Sequence, residues 1–194
     1  MAGPSPFFWH FLCPQEVHMD YKIETERLVL APFIDADIGR RVELANDVDV
    51  ARMVTSMPHP YTRKDAVDWV TKHDAGRAAG TDFPFAITLK GEGLVGAVGL
   101  HKKEGPAFEL GYWIGRPYWG MGIASDAAKA VVDWAVNARK ITTIVACYFE
   151  DNPASCRVLE KVGFVHDGTE GNCHSIGRGE KARSLNMIWR DNNA

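Results

Sequence analysis

Apolar residues recur along the chain in two rhythms, and the switches between them lay out the elements. Residues 24–33 alternate, with Leu28, Leu30 and Pro32 on one side and Val29, Ala31 and Phe33 on the other, which predicts a strand. The Asp35-Ala36-Asp37 cluster opens a helix with acids in its first turn, where they suit the helix dipole. Ile38, Val42 and Ala45 carry that helix to about Asn46, and a short helix is expected over residues 48–55. After Pro58 and Pro60, Thr62 caps a helix whose apolar positions Ala66, Val67, Trp69 and Val70 lead to a stop at Gly80.

Beyond Gly80 the period shortens to two. Residues 83–90, 94–102 and 108–114 read as three strands joined by Gly91-Glu92-Gly93 and Glu104-Gly105-Pro106, an antiparallel meander. A helix follows over residues 122–138, with Ile123, Ala127, Val131, Trp134 or Ala135, and Ala138 on one face. Then come a strand (141–149), a helix (153–162) and strands at 164–169 and 184–190. The polar, glycine-rich residues 168–183 are expected to form a mobile loop. The order βααβββαβαββ predicts a mixed α/β (α+β) domain with helices on both faces of a mostly antiparallel sheet.

A chain of 194 residues is one domain long rather than two. At 46% hydrophobic and 24% charged residues it has the composition of a folded globular protein, which excludes disorder as its main state. A net charge of −3 argues against a dedicated nucleic-acid binder. No apolar run reaches the roughly 20 residues of a membrane-spanning helix. The four cysteines, Cys13, Cys147, Cys156 and Cys173, show neither C-x-x-C nor zinc-type spacing, so no metal is expected and a reducing, cytoplasmic compartment is. Residues 1–20 read as an extension (a vector remnant, a start upstream of Met19, or a docking tail) and residues 21–194 as the domain.

Two segments carry chemistry. In the first, Glu109-Leu-Gly-Tyr-Trp-Ile-Gly-Arg-Pro-Tyr-Trp-Gly-Met-Gly-Ile-Ala-Ser125, a strand gives way to a glycine-bearing loop and a helix. A helix start leaves backbone N–H groups unpartnered and carries partial positive charge, so with glycines beside it a pyrophosphate fits. Turn geometry alone also accounts for those glycines. In the second, Asp151-Asn-Pro-Ala-Ser-Cys-Arg-Val-Leu-Glu-Lys-Val-Gly-Phe164, Asn152 caps a helix, Pro153 enters its first turn and Gly163 ends it.

Together these segments resemble the GCN5-related N-acetyltransferase (GNAT) family and its RimJ/RimL-like branch, over about residues 23–190. The acyl-CoA loop of that family starts with Gln or Arg, and the same register here begins with Trp119 and places Gly122 and Ala124. The Asn152…Ser155…Glu160-Lys161-x-Gly163-Phe164 run also looks like the branch. The resemblance implies acetyl-CoA as co-substrate and a splayed parallel strand pair that admits it. It further implies a cofactor site of Tyr112, Trp113, Ile114, Trp119, Gly120, Met121, Gly122, Ile123, Ala124, Ser125 and Asn152.

Acetyl transfer to an amine needs a proton acceptor, an oxyanion donor and a way for the thiolate to leave. Glu109 is the candidate base, with an ion pair to Lys102 or Lys103 as its structural alternative, and His101 is a second candidate. Many relatives protonate the thiolate with a Tyr just before the Glu-Lys pair; Leu159 stands there, leaving Ser155 as the candidate acid. Tyr61, Trp69, Phe85 and Trp113 are candidates for an acceptor pocket, and Arg178, Lys181 and Arg183 for meeting an acidic substrate. The expected acceptor is a small-molecule amine or a peptide or protein N-terminus, and the expected assembly a monomer or homodimer. Two other readings stand beside this one. The first is a non-catalytic acyl-CoA-binding or docking module. The second is a nucleotide-dependent oxidoreductase, since Gly120-x-Gly122-x-x-Ser125 is one step from a dinucleotide fingerprint.

Overall fold

A computed structural model describes residues 21–191; the N-terminal extension lies outside the described residues. Eight strands form one sheet in the order β1-β2-β3-β4-β5-β6-β8-β7. The strands are β1 (Ile23–Glu24), β2 (Leu28–Ala31), β3 (Asp82–Leu89), β4 (Gly93–Lys102), β5 (Phe108–Ile114), β6 (Thr143–Phe149), β7 (Val165–Ser175) and β8 (Glu180–Arg190). The helices are α1 (Asp37–Ala45), α2 (Val48–Ala51), α3 (Arg63–Val70), α4 (His73–Ala79), α5 (Ile123–Arg139) and α6 (Pro153–Val162). Every pairing is antiparallel except β5 with β6.

Alternation along the central strands separates two cores. Phe83, Phe85 and Ile87 pack with α5 and α6 through Ile123, Ala127, Val131 and Leu159. Ala86, Ala97 and Trp113 face the other way, onto Leu44, Val50, Met57 and Ala66. Helices therefore cover both faces, as the sequence predicts.

Five expectations are corrected. The first strand is split at residues 25–27, where the Thr25 amide donates to the Leu28 carbonyl (2.9 Å) and β1 folds back as an edge strand, giving eight strands instead of seven. The expected helix from Thr62 to Gly80 breaks into α3 and α4 at residues 71–72, and the one expected over 48–55 stops at Ala51. Ala138 is exposed, so the buried face of α5 ends at Ala135. Residues 168–183 are not a loop. They complete a long β7–β8 hairpin whose turn is only 176–179. Its tip is docked: the Ile176 amide donates to the Thr55 carbonyl (3.0 Å), and Gly177 lies so close to Ala51 that a Cβ would sit 2.7 Å from its backbone.

The feature that positions the site is the parallel pair. β5 and β6 are paired only at Phe108–Ile144 and Glu109–Val145, after which they part. A one-residue bulge accompanies this: Ile87 pairs with Gly96 and Thr88 with Leu94, so Val95 has no partner on β3. The Val95 carbonyl instead accepts from the Gly115 amide (2.8 Å) as the chain leaves β5.

Candidate active site

A cleft of about 790 Å³ runs through the gap between β5 and β6 and reaches both faces of the sheet. One end is the start of α5. Gly120 and Gly122 have φ of +77° and +78°, a region in which a side chain is strained, so the chain can turn sharply into the helix. No side chain caps α5, whereas Asp47, Thr62 and Asn152 cap α2, α3 and α6. The first-turn amides of Ile123, Ala124 and Ser125 are thus left to a ligand at the cleft.

Arg27 holds this turn. Its Nε donates to the Asp126 carboxylate (3.0 Å), its Nη2 reaches the same oxygen, and its Nη1 donates to the Met121 carbonyl (3.1 Å). Asp126 would otherwise set an uncompensated negative charge in the first turn. Sequence reasoning missed Arg27, because 99 residues separate it from Asp126. Trp119 occupies the position at which the family resemblance implies Gln or Arg. Its indole N–H ties back to the Ile114 carbonyl (2.7 Å), bracing the loop without adding charge. Arg157 and Lys161, one turn apart on α6, also line the cleft, and their i,i+4 spacing was the signal that could have found them.

Where the strands part, the Tyr112 hydroxyl lies 2.8 Å from the Ser155 hydroxyl and 3.2 Å from its carbonyl oxygen. Burial raises the Tyr112 pKa, so the phenol keeps its proton. The Asn152 side-chain oxygen accepts from the Ser155 amide (3.2 Å), which fixes the helix turn carrying that serine.

Glu109 lines the inner end of the gap. It forms the expected ion pair with Lys103 (3.0 Å), not with Lys102, and the hydrogen bond and charge of Glu109 raise the Lys103 pKa. The Cys147 thiol is 3.8 Å from Glu109, and burial together with that carboxylate pushes its pKa up to about 12. His101 pairs with Glu109 across β4 and β5, and its Nδ1 meets Asp82 at 2.5 Å.

The structure therefore brings nearly all the predicted site residues to one cleft: Glu109, Tyr112, Trp113, Ile114, Trp119, Gly120, Gly122, Ile123, Ala124, Ser125, Asn152 and Ser155. Met121 is absent from the lining and is exposed, offering its carbonyl to Arg27. Of the aromatic quartet, only Trp69 and Trp113 line the cleft. Tyr61 is buried, its hydroxyl accepting from Arg41 (2.8 Å), and Phe85 packs into the opposite core against Trp134. The expected basic loop is committed to structure. Arg178 donates to both Asp151 oxygens (2.9 and 2.7 Å), and Arg183 bridges Glu150 and Glu170. Outside the cleft lining, Cys156, Glu160 and His166 place one potential ligand atom each within 4.8 Å of one another. Among the described residues, no helix is long and apolar enough to cross a membrane.

A family model described as an acetyltransferase (GNAT) domain matches residues 27–165. The uncharacterized N-acetyltransferase YnaD of Bacillus subtilis (strain 168) is 27% identical over 153 residues, covering 78% of this chain and 86% of that protein. A GNAT-family acetyltransferase from Bacillus anthracis, known from its crystal structure, is 26% identical with a TM-score of 0.74, covering 87% of this chain and 98% of that one. RimJ of Mycobacterium smegmatis, solved in complex with CoA-disulfide, shares the fold at a TM-score of 0.74 and 22% identity, over 86% of this chain and 83% of that one.

Proposed function

The chain belongs to the GNAT acetyltransferase family, and we propose that it moves an acetyl group from acetyl-CoA to a primary amine by direct attack through a tetrahedral intermediate. The acceptor is a small-molecule amine or the α-amine of a peptide or protein N-terminus. One observation carries this reading: an uncapped, glycine-led helix start opens into the same cleft as a carboxylate and a paired hydroxyl, where two parallel strands part.

The amides of residues 120–125 suit the pyrophosphate of coenzyme A, and RimJ of Mycobacterium smegmatis has a coenzyme A species bound on this fold. Strand β5 beyond Glu109 has no partner on its β6 side, so its backbone groups can meet the pantetheine amides. A backbone N–H of Tyr112, Trp113 or Ile114 supplies the oxyanion donor.

Glu109 accepts the proton of the attacking amine, directly or through one water, with the Lys103 ammonium beside it at 3.0 Å. Ser155 faces the departing sulfur with the Tyr112 phenol behind it, and their 2.8 Å contact orients the serine hydroxyl towards the leaving group. Cys147 stays a neutral thiol at physiological pH, which disfavours an acetyl-cysteine intermediate and supports one-step transfer.

The test is release of coenzyme A thiol from acetyl-CoA with a panel of amines. Transfer to at least one of them, at a rate dependent on enzyme, supports the reading. Binding of acetyl-CoA without turnover on any amine would replace it with a non-catalytic binding role.

A further inference from the structure

From the walls of the acceptor end of the cleft, we infer that the acceptor is a singly charged primary amine carrying an apolar or aromatic group, not a polyamine or aminoglycoside. The inference rests on the acetyltransferase reading and narrows it.

On the face of the sheet covered by α1–α3, the cleft wall is mostly apolar: Val50, Met53, Val54, Met57, Trp69 and Trp113, broken by the uncharged polar pair Thr55 and Ser56. Burying an apolar group against such a wall gains roughly 25 cal/mol for each Å² removed from water. Methionines add adaptability, since an unbranched thioether moulds to different shapes.

Charge points the same way. Glu109 is the only carboxylate among the lining residues, and Lys103 already holds it. Acids on adjoining segments are matched as well: Asp151 by Arg52 and Arg178, Asp49 by Arg116 (3.0 Å). Behind the wall lies the buried Arg41 guanidinium, 3.7 Å from the Trp69 ring centroid and within 5.4 Å of those of Phe33, Tyr61 and Trp113. Its hydrogen-bond partner is the Tyr61 hydroxyl, and Nη1 has no partner among the described residues. Burial lowers the Arg41 pKa, yet an arginine stays charged at any physiological pH. The wall is therefore mostly apolar and without a free carboxylate at its surface, and positive beneath. A polycation entering it would leave its additional ammonium groups desolvated and unpaired, which costs far more than the apolar contact returns. A single ammonium, neutralised as it reaches Glu109, avoids that cost.

Two measurements separate this inference from the reading beneath it. Equilibrium binding of phenethylamine and of spermidine, followed by quenching of tryptophan fluorescence, reports the pocket's preference without turnover. Thiol release with the same amines and with peptides beginning in Phe or Leu reports transfer and distinguishes a free amine from a peptide terminus. The expected result is a preference for the apolar amines of at least about tenfold, in binding and in kcat/KM. Trp69→Ala should raise KM for phenethylamine by a similar factor with KM for acetyl-CoA unchanged; because Trp69 also packs on Arg41, Met53→Ala serves as the milder variant, with a smaller rise in the same direction. Spermidine binding as tightly as phenethylamine, or both variants leaving KM for the amine unaltered, would overturn the inference while transfer itself still stood.

Discussion

The Tyr112 and Ser155 hydroxyls, on β5 and α6, meet at 2.8 Å across the opening between β5 and β6. Neither residue can be replaced without altering the environment of the other. Ser155→Ala and Tyr112→Phe should each lower kcat by about 10-fold or more. The double variant should fall little further, because groups acting as one unit are not additive. Independent, multiplying losses in steady-state kinetics would show two separate roles.

Glu109→Gln should depress kcat/KM at neutral pH by about 100-fold and lose much of that deficit near pH 10, where the amine no longer needs a base. A pH–rate profile parallel to that of the wild type would remove Glu109 from proton acceptance.

Asn152→Ala removes the cap of α6 and the bond that sets the Ser155 turn. It should cost about 1 kcal/mol of stability. It should also reduce turnover beyond what that loss explains, measured on enzyme shown to be fully folded by circular dichroism. Unchanged kinetics would leave Asn152 a cap only.

Arg27→Ala frees the Met121 carbonyl and leaves the Asp126 carboxylate uncompensated beside the α5 start. The dissociation constant for acetyl-CoA should rise severalfold, with kcat at saturating acetyl-CoA little affected. Asp126→Asn in the Arg27→Ala background should recover part of the loss, since it removes the charge that Arg27 offsets.

His73 is buried against Trp69 and Phe33, and neither ring nitrogen has a hydrogen-bond partner among the described residues. Burial lowers its pKa to about 4 from an ordinary 6.5. The unfolded chain therefore binds the proton more readily between those values. Stability is full above pH 6.5 and falls, by roughly 2–3 kcal/mol, as pH drops towards 4. Urea unfolding across this range should show that slope, and His73→Phe should flatten it.

How much of this was legible in the sequence depended on whether the signal was local. The α6 helix was readable because Asn152, Pro153 and Gly163 punctuate it one residue at a time, and α5 because its buried positions keep helical spacing. The outer ends of the β7–β8 hairpin are legible as strands, but residues 168–183 read as a loop because most of β7 is exposed and lacks the alternation that marks a half-buried strand. The division of Tyr61, Trp69, Phe85 and Trp113 between pocket and core was equally hidden. All four are large aromatics, and only the pleat of the sheet decides which face each one takes.

The parting of β5 from β6 has a mechanical consequence. A sheet of eight strands ought to resist deformation as one plate, yet here five strands and three are stitched at a single corner. A bound thioester arm that hydrogen-bonds to both sides acts as a rivet between the two plates. Occupancy should thus raise the melting temperature with ligand concentration and slow amide exchange in residues 110–114.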